Sequence, residues 1–403
     1  METWFMKSDW EAVAMNTILG IGLLLAFASI HVSTASAQEP ERPRLRELGI
    51  RIGQLEPGPL NSITDVAGVR VGHTTVVSGE NIRTGVTAII PHPGNLFQKK
   101  ARAGVFIANA FGKSAGLLQV RELGTLETPI VLTNTLNVGT AMLAVTKWTL
   151  DQPGNKSVRS VNAVVGETND GFLNDIRGQH VTGQHVLDAI SNANEGRVPE
   201  GSVGAGTGTM ALGFKGGIGS ASRKLDAANG GYTVGALVQT NFGGNLTVAG
   251  VPVGERILEL KAAAQSPTPE NPTSEFGSVM IILASDAPLS DRNLGRLAFR
   301  AVGGLSRTGA SLSNGSGDFV IAFSTSNLVD DSPGKPVLET TELHNNHVSN
   351  LFLAASEAVE EAILNSLLKA TTIQGLDGHT GHAIPVDILV QALEQIQPGL
   401  IKK

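Results

Sequence analysis

The chain has 403 residues, 41% of them apolar, with 48 glycines, no cysteine and a formal net charge of -6 at pH 7. That length can bury a large core. The mild acidity, with no basic stripe and no RNA-binding aromatic pattern, argues against a nucleic-acid partner, and the lack of cysteine removes disulfides, thiol nucleophiles and Cys-ligated metal.

The N-terminus reads as an export signal. Ile18 to Ile30 form a short apolar run, followed by Ala35-Ser36-Ala37 and Gln38. That is an apolar segment and a small-x-small cleavage site. The run is too short to span a bilayer. Residues 1–37 are therefore expected to be removed, leaving a periplasmic protein with no membrane association.

From Arg42 to Leu60 the polar, Pro-containing sequence predicts a leader strand and loop. Asn61 to His92 alternates β-branched runs with Gly, Asp and Pro, which predicts strands and turns. Strands are expected at Gly104–Asn109, Pro129–Asn134 and Val161–Gly166, and helices at Ala115–Leu123, Val138–Leu150 and Gly183–Asn194. Interleaving of this kind gives an α/β or α+β class.

The segment Ala262 to Phe276 reads AAAQSPTPENPTSEF, the composition of an exposed linker. The residues from Ser278 to Ala284 read SVMIILA, a buried strand. A polar tail thus meets a core strand at Gly277-Ser278, a natural place for chain processing. Asp291–Gly303 is expected to be helical and Asp318–Ser324 to be a second core strand. His347–Ala370 carries an apolar stripe of Leu351, Ala355, Val359, Ile363 and Leu367, with Glu357, Glu360 and Glu361 off it.

Polar residues collect at the ends of these strands. Val161–Gly166 runs into Glu167 and Asn169; Thr233–Gln239 runs into Asn241; Ser278 opens its strand; Ser316 and Asp318 lie where Asp318–Ser324 begins. Strand ends are where rigid scaffolds present side chains to ligands. The glycine-rich run Gly204–Gly219 has no GxxxxGK[ST] and follows no clear strand, so it reads as close backbone packing and not as a phosphate cradle. The pairs His344/His347 and His379/His382 lie in polar loops without an acidic partner at ligand spacing, so no metal or other cofactor is expected.

The blocks VVGETNDGFLNDIRG, GAGTGTMALGFKGGIG, LVQTNFGGNL, GSVMIILASDAPL and NGSGDFVIAFST resemble the DmpA-type family. That family comprises the L-aminopeptidase D-amidase/D-esterases and the β-peptidyl aminopeptidases. The likeness runs in order from about Arg44 to near the C-terminus. It leans toward the exported β-peptidyl branch. It implies an αββα sandwich of α+β class: two stacked sheets with helices outside. It also implies a precursor that cuts itself before a serine heading a core strand, here between Gly277 and Ser278. The products would be an α chain, 38–277, and a β chain, 278–403, forming one catalytic domain. Assembly into a tetramer of αβ units is implied as well.

By the same resemblance Asn241 is the oxyanion-hole donor, and Ser316 and Asp318 form the Ser-x-acid pair beside the nucleophile. Asp318 stands where some members carry Glu. Glu167 is the candidate to hold the substrate ammonium. Asn169 replaces a Tyr of other members and matches the β-peptidyl branch, whereas Gly277 matches the D-esterase type. The chemistry is sound in itself. A fixed serine hydroxyl can attack the preceding carbonyl, and the freed α-amine, with an ordinary pKa of about 7.7–8.0, can then act as base for its own hydroxyl. No histidine is needed, and the sequence has no Gly-x-Ser-x-Gly elbow. The expected activity is removal of N-terminal residues, β-amino acids foremost, from short peptides or amino-acid amides. Two alternatives stay open: an ornithine-acetyltransferase-like acyl transferase, and an unprocessed periplasmic binding protein of the same fold.

Overall fold

The computed structural model describes residues 41–263, 276–330 and 336–402. The expected signal at 1–37 and most of the expected linker lie outside the described residues.

Strand alternation organises the fold. The first sheet contains β1 (Arg70–Ser78), β2 (Ile82–Ile90), β5 (Ile130–Asn134) and β6 (Val164–Thr168), in that order. The second contains β4 (Thr125–Leu126), β3 (Lys99–Ala110), β14 (Gly315–Asp330), β13 (Phe276–Ser285), β10 (Thr233–Asn241) and β9 (Ile218–Lys224). Three small hairpins complete the strands: β7 (Met210–Ala211) with β8 (Phe214–Lys215), β11 (Thr247–Val248) with β12 (Val251–Pro252), and β15 (Ile373–Gln374) with β16 (Thr380–Gly381).

On β13, Met280, Ile282 and Ala284 pack with Ile130, Leu132 and Val164 of the first sheet, while Val279, Ile281 and Leu283 pack on the other side. That other side is covered by α5 (Asp291–Arg307) and α6 (Ser349–Lys369). The outer face of the first sheet is covered by α2 (Val138–Leu150) and α3 (Gly183–Ser191). Helix α1 (Leu117–Leu123) adds Leu117 and Val120 to the core between the sheets, while α4 (Gly254–Ala263) and α7 (Val386–Ile396) add Ile257, Leu389 and Leu393 to the core under α5 and α6. The order helix, sheet, sheet, helix is the αββα sandwich that the sequence implied. Period-two burial on both faces explains why β13 is apolar throughout.

Three expectations need correction. Arg42–Leu60 forms a 3-10 turn at Leu45–Leu48 and loop, not a strand. The buried Arg44 guanidinium fixes this segment, donating to the carbonyls of Asn61 and Ser220. The strands β3 and β14 are longer than read, at 12 and 16 residues. Helix α6 is buried on nearly all sides and not along the apolar stripe alone, so Glu357, Glu360 and Glu361 off that stripe are buried too. Glu357 and Glu361 pair with the buried Arg223 at 3.1 and 2.8 Å, and Arg46 adds a second bond to Glu361 at 3.1 Å. Such charges persist in a core only because each is matched.

The run Gly204–Gly219 does pack closely. A Cβ on Gly219 would stand 1.9 Å from the carbonyl oxygen of Ala362 in α6, so only glycine lets β9 lie on that helix.

Candidate active site

Three strand ends of the second sheet stop side by side. Asn241 of β10 lies directly opposite Ser278 of β13, and Ser278 is in parallel register with Gly317 of β14. Ser278 is 4% exposed. Alternation places its side chain with Met280 and Ile282, toward the first sheet. In the unbroken chain β13 starts at Phe276, two residues before the serine that was expected to open it.

The Asn241 amide approaches that hydroxyl. Nδ2 donates to Ser278 Oγ at 3.4 Å, while Oδ1 accepts from the Met210 backbone N–H at 3.1 Å. The second bond fixes which end of the amide faces the serine. Met210 is delivered by the tight β7–β8 hairpin, whose turn residues Leu212 and Gly213 both have positive φ, 52° and 82°. A leucine tolerates this backbone because its side chain is buried and its N–H donates to Phe242 O at 2.7 Å.

Ser316 and Asp318 sit on the other face of the sheet from the Ser278 side chain. Ser316 is in register with Gly277, and a Cβ added to Gly277 would lie 3.2 Å from Ser316 Oγ. The pair therefore flanks the peptide link before Ser278. Ser316 Oγ donates to Asp318 Oδ1 at 2.6 Å, while Asp318 Oδ2 is buried with no hydrogen-bond partner among the described residues. Burial pushes Asp318 up to about 6, against the lowering effect of the Ser316 hydrogen bond. Asn109 of β3 holds the preceding turn by donating to the carbonyls of Ser313, Asn314 and Ser316. A β-bulge at this point of the β3–β14 pairing aims it there.

Glu167 comes from the first sheet. Gly166 would place a Cβ 2.5 Å from Met280 Cε, so glycine allows β6 to press against β13 just before the carboxylate. Glu167 is 2% exposed and accepts from the Lys113 N–H at 2.7 Å and from the Thr135 hydroxyl. A cavity of about 260 Å³ brings Glu167, Asn169, Asn241, Gly277 and Ser278 together, with Phe111, Phe172, Met210 and Phe242 as apolar walls. Asn169 is exposed at this cavity, and its Oδ1 accepts from Gly171 N–H at 2.9 Å. His379 stacks on Phe172 with ring centroids 4.6 Å apart.

Sequence reading missed Thr135, Lys113 and the buried pair Asp170 and Lys215. Thr135 follows β5, so the strand-end rule that flagged Glu167 would have found it. Lys215 Nζ donates to the carbonyls of Gly206 and Gly216, both at 2.9 Å, bracing the hairpin that presents Met210. Burial pulls Lys215 down to about 7 and pushes Asp170 up to about 7. No periodicity marks either residue.

A family model described as Peptidase family S58 matches residues 61–381. The chain belongs to this family. It is 41% identical over 369 residues to the β-peptidyl aminopeptidase BapA of Sphingosinicella microcystinivorans, covering 87% of this chain and 92% of that one. A β-aminopeptidase structure from Burkholderia sp. superposes with a TM-score of 0.81 at 43% identity, over 88% of this chain and 99% of that one. The L-aminopeptidase D-Ala-esterase/amidase from Ochrobactrum anthropi, described as a variant of the Ntn-hydrolase fold, gives a TM-score of 0.81 at 37% identity, over 90% and 100% of the two chains. The S58 chain described here is accordingly a hydrolase and an aminopeptidase acting on peptides, with an Ntn-hydrolase-like fold. That sets aside the acetyltransferase and non-catalytic alternatives. Among the described residues no helix is long and apolar enough to cross a membrane.

Proposed function

We propose that the chain cleaves itself between Gly277 and Ser278, and that freed Ser278 is the nucleophile of a β-peptidyl aminopeptidase. One observation carries this reading: the Ser278 hydroxyl faces the Asn241 amide, while Gly277 before it lies against Ser316, whose hydroxyl donates to Asp318.

In self-cleavage Ser278 Oγ adds to the Gly277 carbonyl carbon. The C–N bond breaks, the nitrogen takes a proton, and the acyl group rests on Oγ as an ester. Water hydrolyses the ester, leaving Gly277 as a carboxylate and Ser278 with a free α-amine. That amine emerges one residue before Val279, the register partner of Asp318, whose buried Oδ2 has no hydrogen-bond partner among the described residues and is the acceptor an ammonium would satisfy. In turnover the neutral amine accepts the Oγ proton as Oγ attacks the substrate carbonyl. Asn241 Nδ2 donates to the resulting oxyanion. Collapse breaks the substrate C–N bond, the leaving amine takes the proton, and water regenerates Ser278.

The buried Glu167 carboxylate is the group of right sign to hold the substrate's N-terminal ammonium, which makes the site an exopeptidase. Preference for a β-amino acid is supported by the β-peptidyl relatives and by Asn169 at the cavity. Removal of residues 1–37 with delivery to the periplasm is part of the same reading. So is assembly into a tetramer of αβ units, which the exposed Leu118, Leu123 and Leu143 on α1 and α2 support.

Intact mass and N-terminal sequencing of purified protein test the core of this. Two fragments are expected, the smaller beginning at Ser278, together with release of p-nitroaniline from β-alanyl p-nitroanilide. Active material with an unbroken 277–278 link would refute it.

A second prediction concerns the uncleaved state, kept by the Ser278→Ala background. The folded-state pKa of Asp318, about 6, lies above its ordinary value of 3.8. Between these values the folded chain binds the proton better than the unfolded chain, so Asp318 makes stability fall as pH rises through about 4 to 6. Asp318→Asn removes that loss. In the Ser278→Ala chain it is expected to stabilise by on the order of 1–2 kcal/mol at pH 7 and by much less at pH 4. In the otherwise native chain it should lower turnover. Denaturant midpoints at the two pH values check the sign; an equal shift at both would show that the carboxylate carries no burial penalty.

A further inference from the structure

Lys113 plays no part in the chemistry above, yet its main chain is built into the site. Its N–H donates to Glu167 Oε1 at 2.7 Å. The preceding Gly112 meets Gly317, the strand neighbour of Ser278, so closely that a Cβ on Gly317 would lie 2.8 Å from Gly112 Cα. The Lys113 side chain is engaged by Phe111 and forms no ion pair with the glutamate among the described residues. Its Nζ stands 4.5 Å from the Phe111 ring centroid and donates to Phe111 O at 3.2 Å. Phe111 itself is half exposed at the cavity mouth.

Lys113 and Glu167 are the only charged side chains that line this cavity among the described residues, and they have opposite signs. An ammonium has three donors. Here one is spent on a carbonyl and the ring face supports the charge, which leaves capacity for an anion. The ligand that matches a buried carboxylate and a ring-supported ammonium lining one cavity is a short zwitterion. The cavity, about 260 Å³, suits a small one.

We infer that Lys113 binds the C-terminal carboxylate of the substrate, so that the enzyme selects free dipeptides over longer or C-terminally blocked peptides. This rests on the reading that Glu167 takes the N-terminal ammonium and Ser278 attacks between them.

The test compares KM for β-alanyl-leucine and for its C-terminal amide in the wild type, Lys113→Met and Lys113→Arg. Because Lys113 is exposed, the charge pair is screened. The wild type is expected to favour the free acid by about twofold to fivefold in KM. Lys113→Met should erase that preference by raising KM for the acid, with little change for the amide. Lys113→Arg should restore it. β-Alanyl p-nitroanilide, which has no carboxylate, is the reference in every variant and shows that the site is assembled. If the wild type cleaves it and Lys113→Met keeps the wild-type acid-to-amide ratio, the Lys113 assignment is overturned. If the wild type cleaves neither p-nitroanilide nor dipeptide, the underlying reading falls, and the assignment with it.

Discussion

Ser278→Ala is expected to yield a folded chain of undivided length with no measurable aminopeptidase activity, a loss on the order of 10⁴-fold or more. The substitution removes the atom that would attack Gly277 and the atom that would carry the acyl group. With the 277–278 link intact it also withholds the α-amine. Nothing in the packing demands the hydroxyl. Ser278 is buried between Asn241 and Gly317, and its hydroxyl receives only the long 3.4 Å contact from Asn241 Nδ2 among the described residues. A methyl group fits there at small cost, so the fold should survive. Intact mass reads the processing, and p-nitroanilide hydrolysis reads the chemistry. Two fragments from the alanine chain would mean that another nucleophile makes the cut. An undivided but active chain would remove Ser278 from both roles.

The part of the fold readable in advance was the part with a strong period. SVMIILA is apolar on both faces because β13 is sandwiched between the first sheet and the helices α5 and α6. Its abrupt meeting with a polar segment marks Gly277-Ser278 in the sequence itself. Strand ends pointed likewise to Glu167, Asn241 and Ser316, and the fold gathers all three around that junction. The residues that escaped are those whose partners lie far away in sequence. Glu357 and Glu361 look like a solvated helix face until Arg223 and Arg46, more than a hundred residues earlier, are brought against them. Lys113 lies in a short loop, and its significance comes from Glu167 across the other sheet. The β7–β8 hairpin has two-residue strands and a leucine where turn chemistry favours Asn or Gly. Local propensity therefore concealed the element that orients the Asn241 amide. The face on which Ser316 and Asp318 lie was also unreadable, since it depends on the β13–β14 register.

That hairpin gives the Asn241 prediction its force. A free amide could turn either its oxygen or its nitrogen to Ser278. Here Met210 N–H occupies Oδ1 at 3.1 Å, so Nδ2 is left to face the Ser278 hydroxyl. The 3.4 Å contact is long for a resting hydroxyl, so Nδ2 gives up little when it donates to the carbonyl oxygen on which the negative charge forms beside Oγ. A donor that gains most in the transition state lowers the barrier without tightening ground-state binding. Asn241→Ala is therefore expected to cut kcat by about 10²–10³-fold, with KM within about threefold of wild type. The same donor faces the same hydroxyl when it attacks Gly277, so self-cleavage should slow in parallel, visible as undivided chain that matures over time. Asn241→Asp separates charge from shape. It keeps an acceptor for Met210 N–H but presents a second oxygen to the developing oxyanion, so its kcat should be no higher than that of the alanine variant. A kcat near wild type in Asn241→Asp would mean that the amide only holds the hairpin in place and that the oxyanion is stabilised by other groups.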